Sequence, residues 1–264
     1  MTYIAITVGD GDNLSYMQTG RRQWMQERQQ RCANDSSYLG CFPLLWSASP
    51  HMLQQAPTWM RWYYAQARVT QNDYFVLPPS GHLYAYPSQM PPDMQAAFVR
   101  QTEDDARLMS TNSAVAWEVA LSWQGAIDGY FPRYDEGGVM QSFFAVNVPF
   151  MIPVLPFLDG EFFKVLGNHS RVVLFRPREW RGTNPKGAPP LSWAQYLTPQ
   201  QMADEINGYP PGTVQQIYLT SDGGANLETI YSLVPLLEER VRMVDHEALA
   251  AMALASHAEA TAAQ

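Results

Sequence analysis

Short apolar runs, each stopped by Gly, Pro, Asp or Asn, recur along this chain and alternate with longer amphipathic stretches. Residues 3–8 (Tyr-Ile-Ala-Ile-Thr-Val), 42–48, 74–77, 114–119, 126–131, 148–155, 172–175, 215–220 and 241–244 read as strands. Between them, residues 14–31, 59–69, 94–109, 198–206 and 226–239 read as helices. Thr198-Pro199-Gln200-Gln201 is a capping box with Pro in the first helical position, and Pro91-Pro92 opens another helix. Pro235 is expected to kink the helix that contains it, and Asp245 to cap the last, Ala-rich one. Strands alternating with helices from end to end specify an α/β fold with a parallel sheet. So many strand candidates in 264 residues favour a single (β/α)8-like, TIM-type barrel of irregular form over an open sheet. The barrel is expected over residues 1–255, followed by a frayed Ala-rich tail, 256–264. The Pro-, Arg- and Gly-rich stretch 177–190 reads as an exposed loop.

Composition narrows the function. The net charge is −8, which disfavours nucleic-acid binding, because phosphate recognition needs a concentrated surplus of Lys and Arg. Pro149, Pro153 and Pro156 break the longest apolar run, so no membrane span is expected. Residues 1–8 read as a core strand and not as a signal peptide. The chain is therefore cytoplasmic as written, or a fragment whose export signal lies upstream. Cys32 and Cys41 lack metal or redox spacing; two buried thiols are the default expectation, with one disulfide the alternative if the protein is exported.

In a parallel α/β fold, chemistry is placed where strands end. Two such points stand out. Gly9-Asp10-Gly11-Asp12-Asn13 follows the first strand, and Pro79-Ser80-Gly81-His82-Leu83-Tyr84-Ala85-Tyr86-Pro87 follows the third. Trp46-Ser47-Ala48-Ser49-Pro50 closes the second. Together with Asn72-Asp73-Tyr74-Phe75 and Ser88-Gln89-Met90-Pro91-Pro92, these motifs resemble the C-terminal domain of the GxGYxYP family, in order over residues 3–109. The resemblance implies an irregular barrel with a carboxylate-lined cleft and a glycosidase activity. Leu83 stands where the hallmark has its second glycine, so the loop is expected to bury Leu83 against the barrel or to narrow the cleft with it. The family's separate N-terminal domain has no counterpart here, and a partner subunit in its place is expected.

Glycoside hydrolysis needs two carboxyl groups flanking the scissile bond, one an acid and one a nucleophile or base. Asp10 and Asp12 lie two apart and face one way if extended, and their mutual repulsion would raise one pKa. They equally suit a plain turn with Asp10 and Asn13 capping backbone amides. Glu118, at the end of the fourth strand, and Asp222, after a late strand, are the candidate partners across the barrel. Asn13, Trp46, Ser80, Gly81, His82, Tyr84 and Tyr86 are the candidate sugar contacts, the tyrosines serving either as a stacking wall or as loop anchors. Asp73 reads as structural, and Asp135-Glu136 as solvated. Dinucleotide, calcium, zinc and nucleophile-elbow patterns are all incomplete, so no cofactor and no metal is expected. The two readings that remain are a glycoside hydrolase and a non-catalytic carbohydrate-binding or structural subunit.

Overall fold

The computed structural model describes residues 1–119, 121–146, 162–184, 195–220 and 225–262. Its strands are β1 Thr2–Val8, β2 Leu44–Ser47, β3 Asp73–Val76, β4 Ser113–Ala116, β5 Ser142–Ala145, β6 Phe163–Leu166, β7 Val172–Phe175, β8 Arg178–Trp180, β9 Val214–Leu219 and β10 Val241–Met243. Its helices are α1 Leu14–Tyr16, α2 Arg22–Asn34, α3 Met52–Gln55, α4 Pro57–Thr70, α5 Pro92–Met109, α6 Trp123–Gly125, α7 Pro199–Asn207, α8 Leu227–Leu233 and α9 His246–Ala262. A π-helical turn, Met17–Arg21, joins α1 to α2.

The architecture is mixed α/β. One sheet runs β3-β2-β1-β9-β8, with β10 also paired to β1; the other runs β4-β5-β7-β6. All the ladders are parallel except β6 with β7. A parallel bridge between Leu77 and Ala114 links the sheets, and β7 runs on into β8 after two residues. The C-terminal ends of β1, β2, β3, β4, β8 and β9 therefore share one edge.

Period-2 alternation along each strand sorts its residues between two apolar clusters. Ile4, Ile6, Val8, Leu44, Trp46, Phe75, Phe143, Leu174 and Ile217 pack with the surrounding helices. Ala5, Leu45, Val76, Val115, Phe144, Val173, Phe175 and Tyr218 form a second cluster with Leu249 and Ala253 of α9. Above that second cluster, toward the shared strand ends, the same faces carry polar groups. Thr7 accepts from Gln216 Nε2 at 2.9 Å, and Ser47 donates to the Val8 carbonyl at 3.2 Å.

Several local expectations hold. Thr198 accepts from Gln201 N at 3.2 Å while Gln201 Oε1 accepts from Thr198 N at 2.9 Å, which is the reciprocal capping box. Asp245 Oδ1 accepts from Ala248 N at 2.8 Å and caps α9. Pro235 ends α8 as a helix: after Leu233 the backbone tightens into a 3-10 turn, Val234–Leu236.

Others need correction. Residues 126–131 are not a strand but a π-turn, Ala126–Tyr130, continuing into a 3-10 turn, Phe131–Glu136. The stretch from 177 is not all loop, because Arg178–Trp180 pairs with β9. Asp135 is not solvated; it is 3% exposed and accepts from the backbone of His169 and Arg171 at 2.5 and 2.9 Å. Burial opposes its charge, yet those two donors and the adjacent His169 ring hold its carboxyl below the usual range. The strand expected at 148–155 lies outside the described residues. Among the described residues, no helix is long and apolar enough to cross a membrane.

Cys32 and Cys41 are not free thiols. Their Cα atoms are 4.7 Å apart, and they form a disulfide that ties the end of α2 to the segment entering β2. A loop of this length restricts the unfolded chain by about 3 kcal/mol. The double change Cys32→Ser, Cys41→Ser should lower unfolding free energy by about 2–3 kcal/mol in urea titration. An unchanged midpoint would mean that the bond contributes nothing to the fold.

His246 predicts a pH dependence. It is buried, its Nδ1–H donates to Asn112 Oδ1 at 2.7 Å, and its ring lies 6.0 Å from Tyr74. Burial pushes its pKa down to about 4, against the opposing pull of Asp245. The unfolded chain takes up this proton near pH 6.5 and the native protein does not until about pH 4. The unfolded state thus binds more protons between these values, and stability declines as pH falls through that window, by about 3 kcal/mol at its lower end. His246→Gln should show a shallower loss of unfolding free energy between pH 6.5 and 4 than the wild type. Parallel curves would contradict this assignment.

Candidate active site

The shared strand edge carries the loop after β1. Asn13 N donates to the Asp10 carbonyl at 3.1 Å, closing a turn, and Gly11 N donates to Ser47 Oγ at 2.9 Å. Gly11 is required by close approach: a Cβ there would lie 1.8 Å from the Ser47 carbonyl oxygen. Asp10 has φ 62, a left-handed conformation that Asp tolerates better than most residues. Beneath the turn lies Arg21, fully buried. Its guanidinium donates to the Ser47 carbonyl at 2.8 Å, to Val8 at 3.3 Å and to Gly9, and packs 5.0 Å over the Trp46 ring.

This scaffold displays Asp12 at the surface. Desolvation by the surrounding protein raises the Asp12 pKa, and the charge of Asp10 adds to it, while Arg21 offsets part of the rise. Asn13 takes another role: its Oδ1 caps α1 by accepting from Tyr16 N at 3.1 Å. The turn-and-cap reading is thus satisfied by the Asp10 carbonyl and Asn13, which leaves the Asp12 carboxyl available to a ligand.

The loop after β3 is held by its first residues and displays its later ones. The Pro79–Ser80 peptide is cis. Ser80 is buried; its hydroxyl donates to the Ala85 carbonyl at 2.8 Å and accepts from Trp117 N at 3.0 Å. Gly81 has φ 104, and a Cβ there would lie 2.6 Å from Thr102 Cγ2. His82 turns onto α5: its Nδ1 lies 2.6 Å from Asp105 Oδ2, its backbone N donates to Thr102 Oγ1 at 3.1 Å, and its carbonyl accepts from His51 Nε2 at 2.9 Å. Ser80, Gly81 and His82 therefore shape the loop. Tyr84 is 53% exposed and stands edge-on to Trp117 at 4.9 Å. Its pKa is pushed up to about 12 by desolvation, then by Tyr86 and by the charge of Asp12. The charge of Asp12 thus reaches Tyr84 across the strand edge. Leu83 keeps a negative φ and is 49% exposed, so the departure from glycine is accommodated without strain and without burial against the strands.

The other candidates fall differently. Trp46 is 0% exposed: alternation turns it to the helix side, where its indole N–H donates to Asp73 Oδ1 at 2.8 Å. Glu118 is 1% exposed and accepts from Ser88 N at 3.0 Å, Ser88 Oγ at 2.5 Å and Ser122 Oγ at 3.3 Å. Burial raises its pKa against those donors. Glu118 ties the tail of the hallmark loop to the end of β4. Asp222 lies outside the described residues.

Sequence reasoning missed Tyr218 and Glu179. They are register partners on β9 and β8. Tyr218 is buried with its hydroxyl against the Gly9 backbone, where a Cβ would come within 2.3 Å of it. Burial raises its pKa well above the ordinary value, and the charges of Asp10, Asp12 and Glu179 all add to that rise. Tyr218 is thus the common neighbour of three carboxylates. Glu179 accepts from Gln195 Nε2. Among the described residues, no cluster of three or more His, Cys, Asp or Glu is placed to hold a metal ion.

Parallel strands covered by helices define an α/β protein, with the acids and tyrosines at the strand ends as its candidate site. The chain belongs to the family described as the GxGYxYP putative glycoside hydrolase C-terminal domain, which matches residues 1–149. The fold is similar to that of a putative hydrolase from Bacteroides thetaiotaomicron, with a TM-score of 0.72 and 19% identity over 97% of this chain. This chain spans 45% of that protein's length. A putative polysaccharide deacetylase from Mycobacterium smegmatis is similar over 97% of this chain and 91% of its own, with a TM-score of 0.51 and 11% identity. No curated protein matches this sequence.

Proposed function

We propose that this protein is a glycoside hydrolase whose reacting groups are Asp12 and a carboxylate across the strand edge. Residues 1–255 are read as one distorted barrel, with the continuous run of β7 and β8 bridging β5 to β9. The observation that carries the proposal is the shared electrostatic neighbourhood of Asp12, Tyr84 and Tyr218, contributed by three separate strand ends.

In this reading Asp12 is the proton donor. Its raised pKa keeps a larger fraction protonated near neutrality, which suits protonation of a glycosidic oxygen. Glu179 is the better second carboxylate, because its charge reaches Tyr218 from the opposite side of β9. Asp12 protonates the leaving oxygen as the glycosidic C–O bond breaks, and Glu179 stabilises or bonds to the anomeric carbon; water then takes that carbon, giving its proton back to the Asp12 carboxylate and freeing Glu179. The charge of Asp10 favours the acid form of Asp12. Tyr84 offers an exposed ring and hydroxyl for a sugar face. Arg21 and Gly11 act through the backbone, fixing the loop that aims Asp12.

The disulfide suits an oxidising compartment, where extracellular glycans are met. The test is a screen of the full chain against aryl glycosides and a glycan panel, read as phenol or reducing-end release. Reducing-end release from unactivated glycans that disappears in Asp12→Asn supports the enzyme. Binding without release at any pH would replace it with the non-catalytic carbohydrate-binding reading, which the burial of Glu118 favours.

A further inference from the structure

An aromatic recess opens beside the first loop. It lies between the π-turn Met17–Arg21 and the start of α4, with a volume of about 220 Å³, and is lined by Gln18, Arg22, Thr58, Trp59 and Trp62 over a floor that includes Tyr63. The sequence builds it simply. Trp59 and Trp62 are three apart on α4 and so share a face. Tyr63 donates its hydroxyl to the Met17 carbonyl and locks the floor. Arg22 stands 5.9 Å over the Trp62 ring.

The recess is on the same side of the molecule as Asp12. The π-turn and the start of α4 follow β1 and β2, whose C-terminal ends form the strand edge described above. Gln18 is six residues beyond Asp12. The volume is below the ~300–1,000 Å³ of pockets that enclose drug-sized ligands, so it accepts a single ring.

Its chemistry selects among rings. No carboxylate lines it, and the Arg22 side chain makes no salt bridge or hydrogen bond among the described residues, only its contact with the Trp62 ring. A neutral sugar can accept from Arg22 only through uncharged hydroxyl oxygens, and its own hydroxyl hydrogens find side-chain acceptors only at Gln18 and Thr58. A sugar with a carboxylate finds an unspent guanidinium above an indole face. We infer that this recess is a distal subsite for a carboxylated sugar ring, and that the glycan reaching Asp12 is an acidic oligosaccharide. The inference rests on the glycoside hydrolase reading and extends it to the substrate class.

Trigalacturonate and cellotriose, titrated calorimetrically into the full chain, test it. Trigalacturonate should bind the wild type about tenfold or more tightly than cellotriose. Arg22→Gln, on an exposed side chain, should erase that difference, the loss expected for one charge-assisted contact. Trp62→Ala should weaken both sugars; should that variant fail to fold by circular dichroism, Arg22→Gln decides alone. Equal affinity of wild type and Arg22→Gln for trigalacturonate would overturn the subsite. If that affinity is instead lost in Tyr84→Ala, the sugar sits at the Asp12 face and the function stands without the subsite. No binding of either sugar to the wild type would overturn both.

Discussion

Asp12→Asn is expected to lower turnover of an unactivated glycan by about 10²- to 10⁴-fold, the range for a lost general acid. The amide keeps the shape of the carboxyl but has no proton to give to the departing oxygen. A glycoside with a nitrated phenol as leaving group does not need that proton. Its bond-breaking step should therefore be far less affected by the same change. This split between poor and good leaving groups identifies an acid, and a merely structural role would not produce it. Stability should move by no more than about 0.5 kcal/mol, because Asp12 is exposed and the turn is closed by the Asp10 carbonyl and by Asn13. A structural cap would behave oppositely, losing about 1 kcal/mol with turnover intact. Activity in the wild type should fall as pH rises through the elevated Asp12 pKa, since the acid form is then lost.

The largest stability effect is expected at Asp73. Arg28 is fully buried, and its Nε lies 2.5 Å from Asp73 Oδ1. The same carboxylate accepts from Trp46 Nε1 at 2.8 Å and from Thr70 Oγ1 at 2.5 Å. Arg28 also donates to the Phe42 and Asn72 carbonyls and to the Tyr231 hydroxyl. This one network joins α2, β2, β3 and α8. Asp73→Asn leaves the guanidinium buried without a counter-charge, at a cost of about 3–5 kcal/mol. Urea unfolding should register that loss directly. A loss under about 1 kcal/mol would mean that the pair is replaced by solvent at little cost. Asp73→Asn and Asp12→Asn together are the test that separates a carboxylate holding the fold from the one proposed to act on substrate.

The sequence made the early strands, the loops after β1 and β3 and the capping box at Thr198 legible, because strand and loop meet where a continuous apolar run stops abruptly and the box has its own local spacing. Its failures have local causes. The apolar positions Ala126, Ile127, Tyr130, Phe131 and Tyr134 follow helical spacing, but a six-residue window is too short to display that period. β8 has only three residues between Pro177 and Gly182, too few to display an alternation. Glu179 was hidden with it. Trp46 was read as a platform because it ends a strand; its parity within that strand, set by Leu45 and Ser47 facing the other way, puts it in the core. The disulfide depends on a Cα separation of 4.7 Å that nine intervening positions do not specify. Arg21 gave no signal, since a buried arginine spent on backbone carbonyls looks like any polar helix residue.

The site itself was half legible. Asp12 and Tyr84 come together as their strand ends require. Ser80, Gly81, His82 and Glu118 turn out to build the loops they were expected to arm. His82, Ser80 and Glu118 are each held by a neighbour that lies far away in sequence, on α5, at the end of β4 or in the tail of the hallmark loop. Hydrogen-bond partners of that kind arise only when the elements assemble.

The most direct test is a crystal structure of the Asp12→Asn protein with a trapped oligosaccharide that the wild type cleaves. The glycosidic oxygen should lie within hydrogen-bond reach of the introduced amide at position 12, with a sugar face against Tyr84 and Glu179 on the opposite side of the scissile bond. A sugar seated at the other end of the strands, or one whose cleaved bond lies beyond reach of position 12, would contradict the account.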